Sequence, residues 1–266
     1  MDILEAMTVR RSVRTYTGRP ITETQAERIE AAIQAAGNPF GARPDLRLMR
    51  FGGGRELRPS TYGMIRGACD FLAMGYGDSE ADLLAAGFAM EQVVLEATRM
   101  GLGTCWIAAT FRGSDFERTG TPWSEAKPLK VVCPVGVEAG KSFVERVARM
   151  AAGSDRRKPM DRLFFAPGFS EPLRGGTPFY EALAMMRLAP SSTNSQPWRA
   201  SAGADGRSVD FFCRDSSRLS TLDCGIGLCH FALTERANGH SGGFLRLAEA
   251  PAHPAGLRYI TTYIRD

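Results

Sequence analysis

The C-terminal part of the chain can be laid over the N-terminal part. An offset of 153 residues places Ala189 on Ala36, Ser191 on Asn38 and Pro197 on Pro44. Farther along, an offset of 138 places Leu222 on Leu84, Gly225 on Gly87 and Gly239 on Gly101. Both copies of the first set read helix, punctuated loop, strand. Both copies of the second read helix, glycine cap, strand. Few identities match, so the order of elements carries the repeat and points to an ancestral duplication. Between these landmarks the second copy is shorter by 15 residues. The 266 residues would otherwise fit one large domain or two small ones.

Composition narrows the class. The chain is 44% apolar and 23% charged, which is ordinary for a globular protein. Disordered, collagen-like, coiled-coil and disulfide-scaffold classes are excluded. A net charge of +4 is too weak to point to a nucleic-acid partner. The six cysteines show no C-x-x-C spacing and read as reduced core thiols. Cys224 and Cys229, with His230, come nearest to a metal tract, but they lie in an apolar helical run, and no metal is expected. The first five residues lack the charged and apolar regions of a signal peptide. No run of about 18 apolar residues suggests a membrane span. The expectation is a cytoplasmic protein without a membrane or nucleic-acid partner.

Periodicity and punctuation predict helices over residues 2–7, 22–36 with Thr22 as N-cap, 82–100 with Gly101 at the cap, 142–150, 178–188 and 222–238. Strands are predicted over 46–51, 68–76, 129–137, 209–213, 244–247 and 257–264. A crossover rich in Gly, Pro and Arg fills 151–176, and a polar loop fills 190–197. Strands and helices mix without regular βαβ alternation, which gives an α+β class.

Two familiar nucleotide motifs fail on spacing. Gly136-Val137-Glu138-Ala139-Gly140-Lys141-Ser142 has three residues between its glycines, where a phosphate loop needs four. Gly101-Leu102-Gly103 and Gly225-Ile226-Gly227 both lack the third glycine of a dinucleotide fingerprint. Of the three histidines, His230 reads as a satisfied helical side chain, and none sits in a nucleophile motif. No catalytic side chain is therefore assigned.

Three segments carry positive signals. Arg10-Arg11-Ser12-Val13-Arg14 offers three guanidinium forks and a hydroxyl, a donor set suited to phosphate, although cations also settle at exposed helix ends. Pro190-Ser191-Ser192-Thr193-Asn194-Ser195-Gln196-Pro197-Trp198 presents hydroxyls and amides between two prolines, with a tryptophan to anchor its exit. Gly101-Leu102-Gly103-Thr104-Cys105-Trp106-Ile107-Ala108-Ala109 sets small residues around an aromatic, so backbone can approach a flat ligand. A cap feeding a buried strand has the same composition.

Together, in this order, the three segments resemble the FMN-dependent nitroreductase family. Arg156-Arg157-Lys158-Pro159 followed by Leu163-Phe164-Phe165 resembles the closing segment of that family. The resemblance implies a nitroreductase-like α+β fold. It departs from the usual pattern in one respect: Arg14 and Pro190 are 176 residues apart, whereas family members place the loop about one helix after the arginines. Family members are homodimers that clasp each FMN between subunits. The repeat explains the separation. Residues 1–165 resemble a first half that keeps the phosphate side but has a degenerate loop at residues 37–44. Residues 166–266 resemble a shortened second half that keeps the loop. The two related halves are expected to form an intramolecular pseudo-dimer holding one FMN per chain.

The resemblance implies a role for each candidate residue. Arg10, Arg11, Ser12 and Arg14 would hold the FMN phosphate, helped by Arg157 or Lys158. Pro190, Ser191, Ser192 and Asn194 would meet the ring edge and ribityl chain. Ala108 and Ala109 would lie beside the isoalloxazine, with a backbone N–H near N5, and Trp106 would pack behind the site. The implied activity is ping-pong hydride transfer from NAD(P)H, through flavin N5, to a nitroaromatic, quinone or similar small acceptor. A monomer would suffice for the site, with further dimerisation open. The rival readings are a flavin-binding relative without turnover, serving as carrier, sensor or scaffold, and an unrelated nucleotide hydrolase using Gly140-Lys141-Ser142.

Overall fold

In the computed structural model, residues 1–52, 54, 58–117, 122–140 and 156–266 are described. The helix predicted over 142–150, with Lys141 and Ser142 of the phosphate-loop mimic, lies outside them. The chain divides into two compact units, Met1–Ala148 and Arg149–Asp266. This division falls earlier than the sequence boundary at 165/166, because a short strand at Phe164–Phe165 pairs within the second unit.

In the first unit, α1 (Ile3–Val9) starts at Asp2. The Asp2 side chain accepts the Glu5 N–H at 2.8 Å while Glu5 accepts the Asp2 N–H at 2.9 Å, a reciprocal capping box. Thr22 and Gln25 build the same box on α2 (Glu23–Ala35). Then come β1 (Asp45–Arg50), β2 (Asp70–Gly75), α3 (Glu80–Arg99), β3 (Gly103–Thr104), α4 (Gly113–Glu117) and β4 (Leu129–Gly136). Ser79 caps α3, so the helix begins before the predicted residue 82. The sheet runs β1-β2-β4-β3, antiparallel throughout. Every β2 residue is buried, so the strand reads as a continuous run rather than an alternation. α3 is buried around most of its circumference, with α1 and α2 against it. That burial puts Glu91 in the core.

In the second unit, β5 (Phe164–Phe165) precedes α5 (Tyr180–Leu188), β6 (Trp198–Ala202), β7 (Ser208–Cys213), α6 (Ser220–Ala237), β8 (Gly242–Leu245) and β9 (Arg258–Arg265). Its sheet runs β5-β6-β7-β9-β8. β5 lies parallel to β6, and the other pairings are antiparallel. Among the described residues no helix is long and apolar enough to cross a membrane.

The structure extends the repeat well beyond its few identities. Apart from β5, the second sheet has the strand order of the first. β7 lies 138 residues after β2 at both ends, and β9 lies 129 residues after β4 at both ends. Pairing register is kept too: Asp45↔Gly75 and Asp70↔Val135 correspond to Trp198↔Cys213 and Ser208↔Ile264. The helix ends match bond for bond. After α3, Gly101 adopts φ +75 and the Leu102 N–H returns to the Ala97 carbonyl at 3.0 Å. After α6, Gly239 adopts φ +79 and the His240 N–H returns to the Glu235 carbonyl at 2.9 Å. A left-handed residue closing a helix in this way favours glycine, so these two positions kept their identity where the strands did not.

Candidate functional site

The arginine cluster of the first unit leaves α1 and runs beside β3. Ser12 forms a parallel bridge with Thr104, and the Val13 N–H donates to the Thr104 carbonyl at 2.8 Å. A Cβ on Gly103 would sit 2.7 Å from Val13 Cγ2, so this close approach requires the glycine. Two of the three motifs are thereby joined. Arg10 is buried, with Nε 3.9 Å from Glu91 Oε1. Trp106 Nε1 donates to the other Glu91 oxygen at 2.9 Å. Glu91 thus stands between Arg10 and Trp106, while Arg11 forms an ion pair with Glu138. The half-buried Arg14 accepts the Arg66 N–H at its carbonyl, at 2.9 Å. Among the described residues, the buried Nε atoms of Arg10 and Arg11 have no hydrogen-bond partner. Ile107 exchanges two 2.9 Å bonds with Val132. Ala108 and Ala109 follow it, half-buried and exposed respectively, and their N–H groups make no hydrogen bond among the described residues.

The second unit holds the serine-rich loop and the basic segment together. Arg157 donates to Asn194 Oδ1 at 3.1 Å and to the Leu188 carbonyl at 3.0 Å. Lys158 Nζ donates to the Ser195 carbonyl at 2.5 Å, and its N–H donates to Gln196 Oε1 at 2.7 Å. Asn194 Nδ2 returns to the Arg156 carbonyl at 2.7 Å. The Gln196 N–H donates to Ser191 Oγ at 2.9 Å. Thr193, Asn194 and Gln196 all adopt positive φ, at 51, 55 and 47. Three such residues within four positions persist only where surroundings over-determine the backbone. Pro190, Ser191, Ser192 and Asn194 are half-buried along this turn.

Sequence reasoning missed the carboxylate that fixes the loop. Both Asp223 oxygens accept the Ser192 N–H, at 3.1 and 3.0 Å, and Oδ2 also accepts from Ser195 Oγ at 3.4 Å. Burial pushes its pKa up to about 7, against the opposing pull of the Ser192 N–H and Ser195 hydroxyl. The corresponding residue in the first unit, 138 positions earlier, is Ala85, on the copy whose loop is degenerate. Because the folded pKa is raised, the folded chain retains a proton that the unfolded chain has released. The associated stability is complete below about pH 4 and is lost as pH rises through 7. Asp223→Asn removes that dependence. Urea titrations between pH 4 and 8 should show wild type losing up to ~4 kcal/mol relative to the variant. Parallel pH profiles would contradict the assignment.

His230 behaves as a satisfied core side chain, with Nδ1 3.2 Å from the Met185 carbonyl. The predicted phosphate-side residues and Ala108 and Ala109 thus occupy the first unit. Arg157 and Lys158 join the loop residues in the second.

The family model described as "Putative TM nitroreductase" matches residues 2–235. The chain belongs to this nitroreductase family, and so to a family of oxidoreductases. Among solved structures, a Thermotoga maritima nitroreductase, tm1586, is similar at 20% identity, with a TM-score of 0.63, covering 100% of this chain and 93% of that one. The α+β architecture is therefore a nitroreductase fold. A nitroreductase family protein of Clostridium novyi NT is 18% identical over 55% of this chain and 98% of that one, with a TM-score of 0.43. A Bacteroides fragilis nitroreductase solved with bound FMN is 18% identical over 54% and 91%, with a TM-score of 0.42. No curated protein matches.

Proposed function

We propose that this nitroreductase family member is an FMN-dependent oxidoreductase whose two copies each contribute one part of a single flavin site. One observation carries the reading: the complementary motifs survive on opposite copies of one duplicated unit. The first unit keeps the arginine–serine cluster but has lost the loop at residues 37–44. The second keeps the loop, with Asp223 to hold it, but has no arginine–serine cluster. The residues fit the cofactor chemically. Among the described residues the buried Arg10 and Arg11 Nε atoms lack hydrogen-bond partners, and a phosphate oxygen is their natural acceptor.

In this reading Arg10, Arg11, Ser12 and Arg14 bind the phosphate, with Arg157 or Lys158 assisting. Glu91 holds Arg10 and Trp106 in place from the core. Pro190, Ser191, Ser192 and Asn194 line the ring edge and ribityl chain, and the Ala108 or Ala109 N–H donates toward N5. Bound FMN would supply hydride chemistry between NAD(P)H and a nitroaromatic, quinone or similar acceptor. The protein's part is to position and exclude water, and no side-chain base need be recruited.

The purified protein, reconstituted with FMN if necessary, should show a flavin spectrum that bleaches anaerobically with NADH or NADPH. A protein that stays colourless after reconstitution contradicts the proposal. Bound flavin that neither nucleotide reduces would favour the carrier or sensor reading instead.

A further inference from the structure

The second unit shows what pairs with the outer edge of β6. β5 lies parallel to it, with Phe164 opposite Ala200 and Phe165 opposite Ser201, and the Ala200 N–H donates to the Leu163 carbonyl at 3.1 Å. α5 holds the segment that leads into β5: Arg187 Nε donates to the Lys158 carbonyl at 2.6 Å. Leu163 and Phe164 are fully buried, as is Leu183 on the helix.

The first unit repeats this edge without the strand. β1 stands where β6 does, at the same 153-residue offset that relates the end of α2 to the end of α5. Among the described residues no strand pairs with the outer edge of β1. A groove of about 540 Å³ runs between β1 and α2, lined on the strand by Leu46, Arg47 and Leu48 and on the helix by Glu27, Glu30 and Gln34. Arg47 and Leu48 are the counterparts of Ala200 and Ser201, the two residues that β5 pairs with. The groove therefore lies at the register of the β5 seat, and an unpaired edge is a template for a further strand.

The differences between the two seats define the occupant. Glu27 and Glu30 replace Tyr180 and Leu183, and Gln34 replaces Arg187. Both acids are exposed, and among the described residues neither side chain makes an ion pair or hydrogen bond. Arg47, the base of the groove, is held by Asp45 at 2.5 Å. Leu46 and Leu48 are half-buried and offer apolar contact. An occupant thus needs apolar side chains for the strand and Lys or Arg for the two carboxylates. The Gln34 amide can donate to its backbone, as Arg187 does to Lys158.

We propose that the groove between α2 and β1 is a docking site for an extended, basic segment of a partner protein, which adds a strand parallel to β1 as β5 adds one to β6. The inference rests on the strand registers and charges of the separate units and is independent of flavin binding.

A labelled peptide with the sequence of residues 157–168 is the probe, since Arg157, Lys158 and Arg162 precede its phenylalanine pair. Fluorescence anisotropy follows its titration into the full-length protein at low ionic strength. The expected result is saturable binding that weakens at least tenfold when Glu27→Lys and Glu30→Lys are combined. Both positions are exposed, so the reversal leaves the core intact. A peptide N-methylated at Phe165 should weaken as much, because it cannot donate to the ladder of a parallel pair. No saturable binding, equal affinity in wild type and double variant, or equal affinity for a scrambled peptide overturns the proposal. Sedimentation showing a dimer that excludes the peptide would give the edge to a second copy of the chain and overturn it as well.

Discussion

Arg10→Ala should destabilise the protein by about 3–5 kcal/mol, the range for removing one member of a buried ion pair. Arg10 lies with 4% of its side chain exposed, and the Glu91 side chain is fully buried. The Trp106 indole donates to Glu91 Oε2 at 2.9 Å. Without the guanidinium, the buried carboxylate loses the cation beside it. Arg10→Met combined with Glu91→Leu should recover most of the loss, because two apolar side chains leave no buried charge behind. The double variant should nonetheless bind FMN poorly, since the guanidinium proposed to hold the phosphate is gone. Urea denaturation and flavin titration of the three proteins separate these effects. A loss below 1 kcal/mol in Arg10→Ala would refute the buried network.

Ser191→Ala with Asn194→Ala should weaken FMN affinity by roughly one to two orders of magnitude, from about 1 kcal/mol or more for each lost hydrogen bond. Asn194 also ties the loop to Arg157 and to the Arg156 carbonyl, so its removal loosens the turn as well as the contact. Ser191→Ala alone isolates the smaller part, the bond from the Gln196 N–H. Fluorescence titration reads the affinity, and circular dichroism confirms that the fold persists. Unchanged affinity in the double variant would remove the loop from the flavin site.

Residues that must satisfy local rules were the legible ones. Thr22 caps α2 through its own side chain, and Gly101 and Gly239 close helices in a left-handed conformation. A capping oxygen or a missing Cβ can be read at a single position. The repeat was legible for the same reason, since its surviving identities include these glycines, whereas strand register survives without any identity. β3 and β5 carry no signal in the sequence because two residues establish no period. β6 was hidden because Arg199 and Ser201 are polar yet buried, which breaks the apolar pattern expected of a central strand. β8 begins two residues before the predicted 244 because Gly242 and Gly243 pair with Arg265 and Ile264 where glycine usually marks a turn.

The candidate site was half legible. Arginine forks and a proline-bracketed polar loop declare themselves by composition. Glu91 and Asp223 do not: each is an acid flanked by apolar residues on a buried stretch of helix, and each acts on residues distant in sequence. Glu91 meets Arg10 and Trp106, and Asp223 meets Ser192 and Ser195. An acid in an otherwise buried helical run was the available signal, because burying a carboxylate without a partner is costly.

Flavin content per chain tests the duplicated, single-site architecture most directly. FMN released from the reconstituted holoprotein, measured by absorbance against protein from amino-acid analysis, should come to one per chain. That ratio should hold whether chains remain single or associate further. Two FMN per chain would mean that each copy builds a complete site, and none after reconstitution would mean that the motifs hold no flavin. Either result would contradict a site shared between complementary copies.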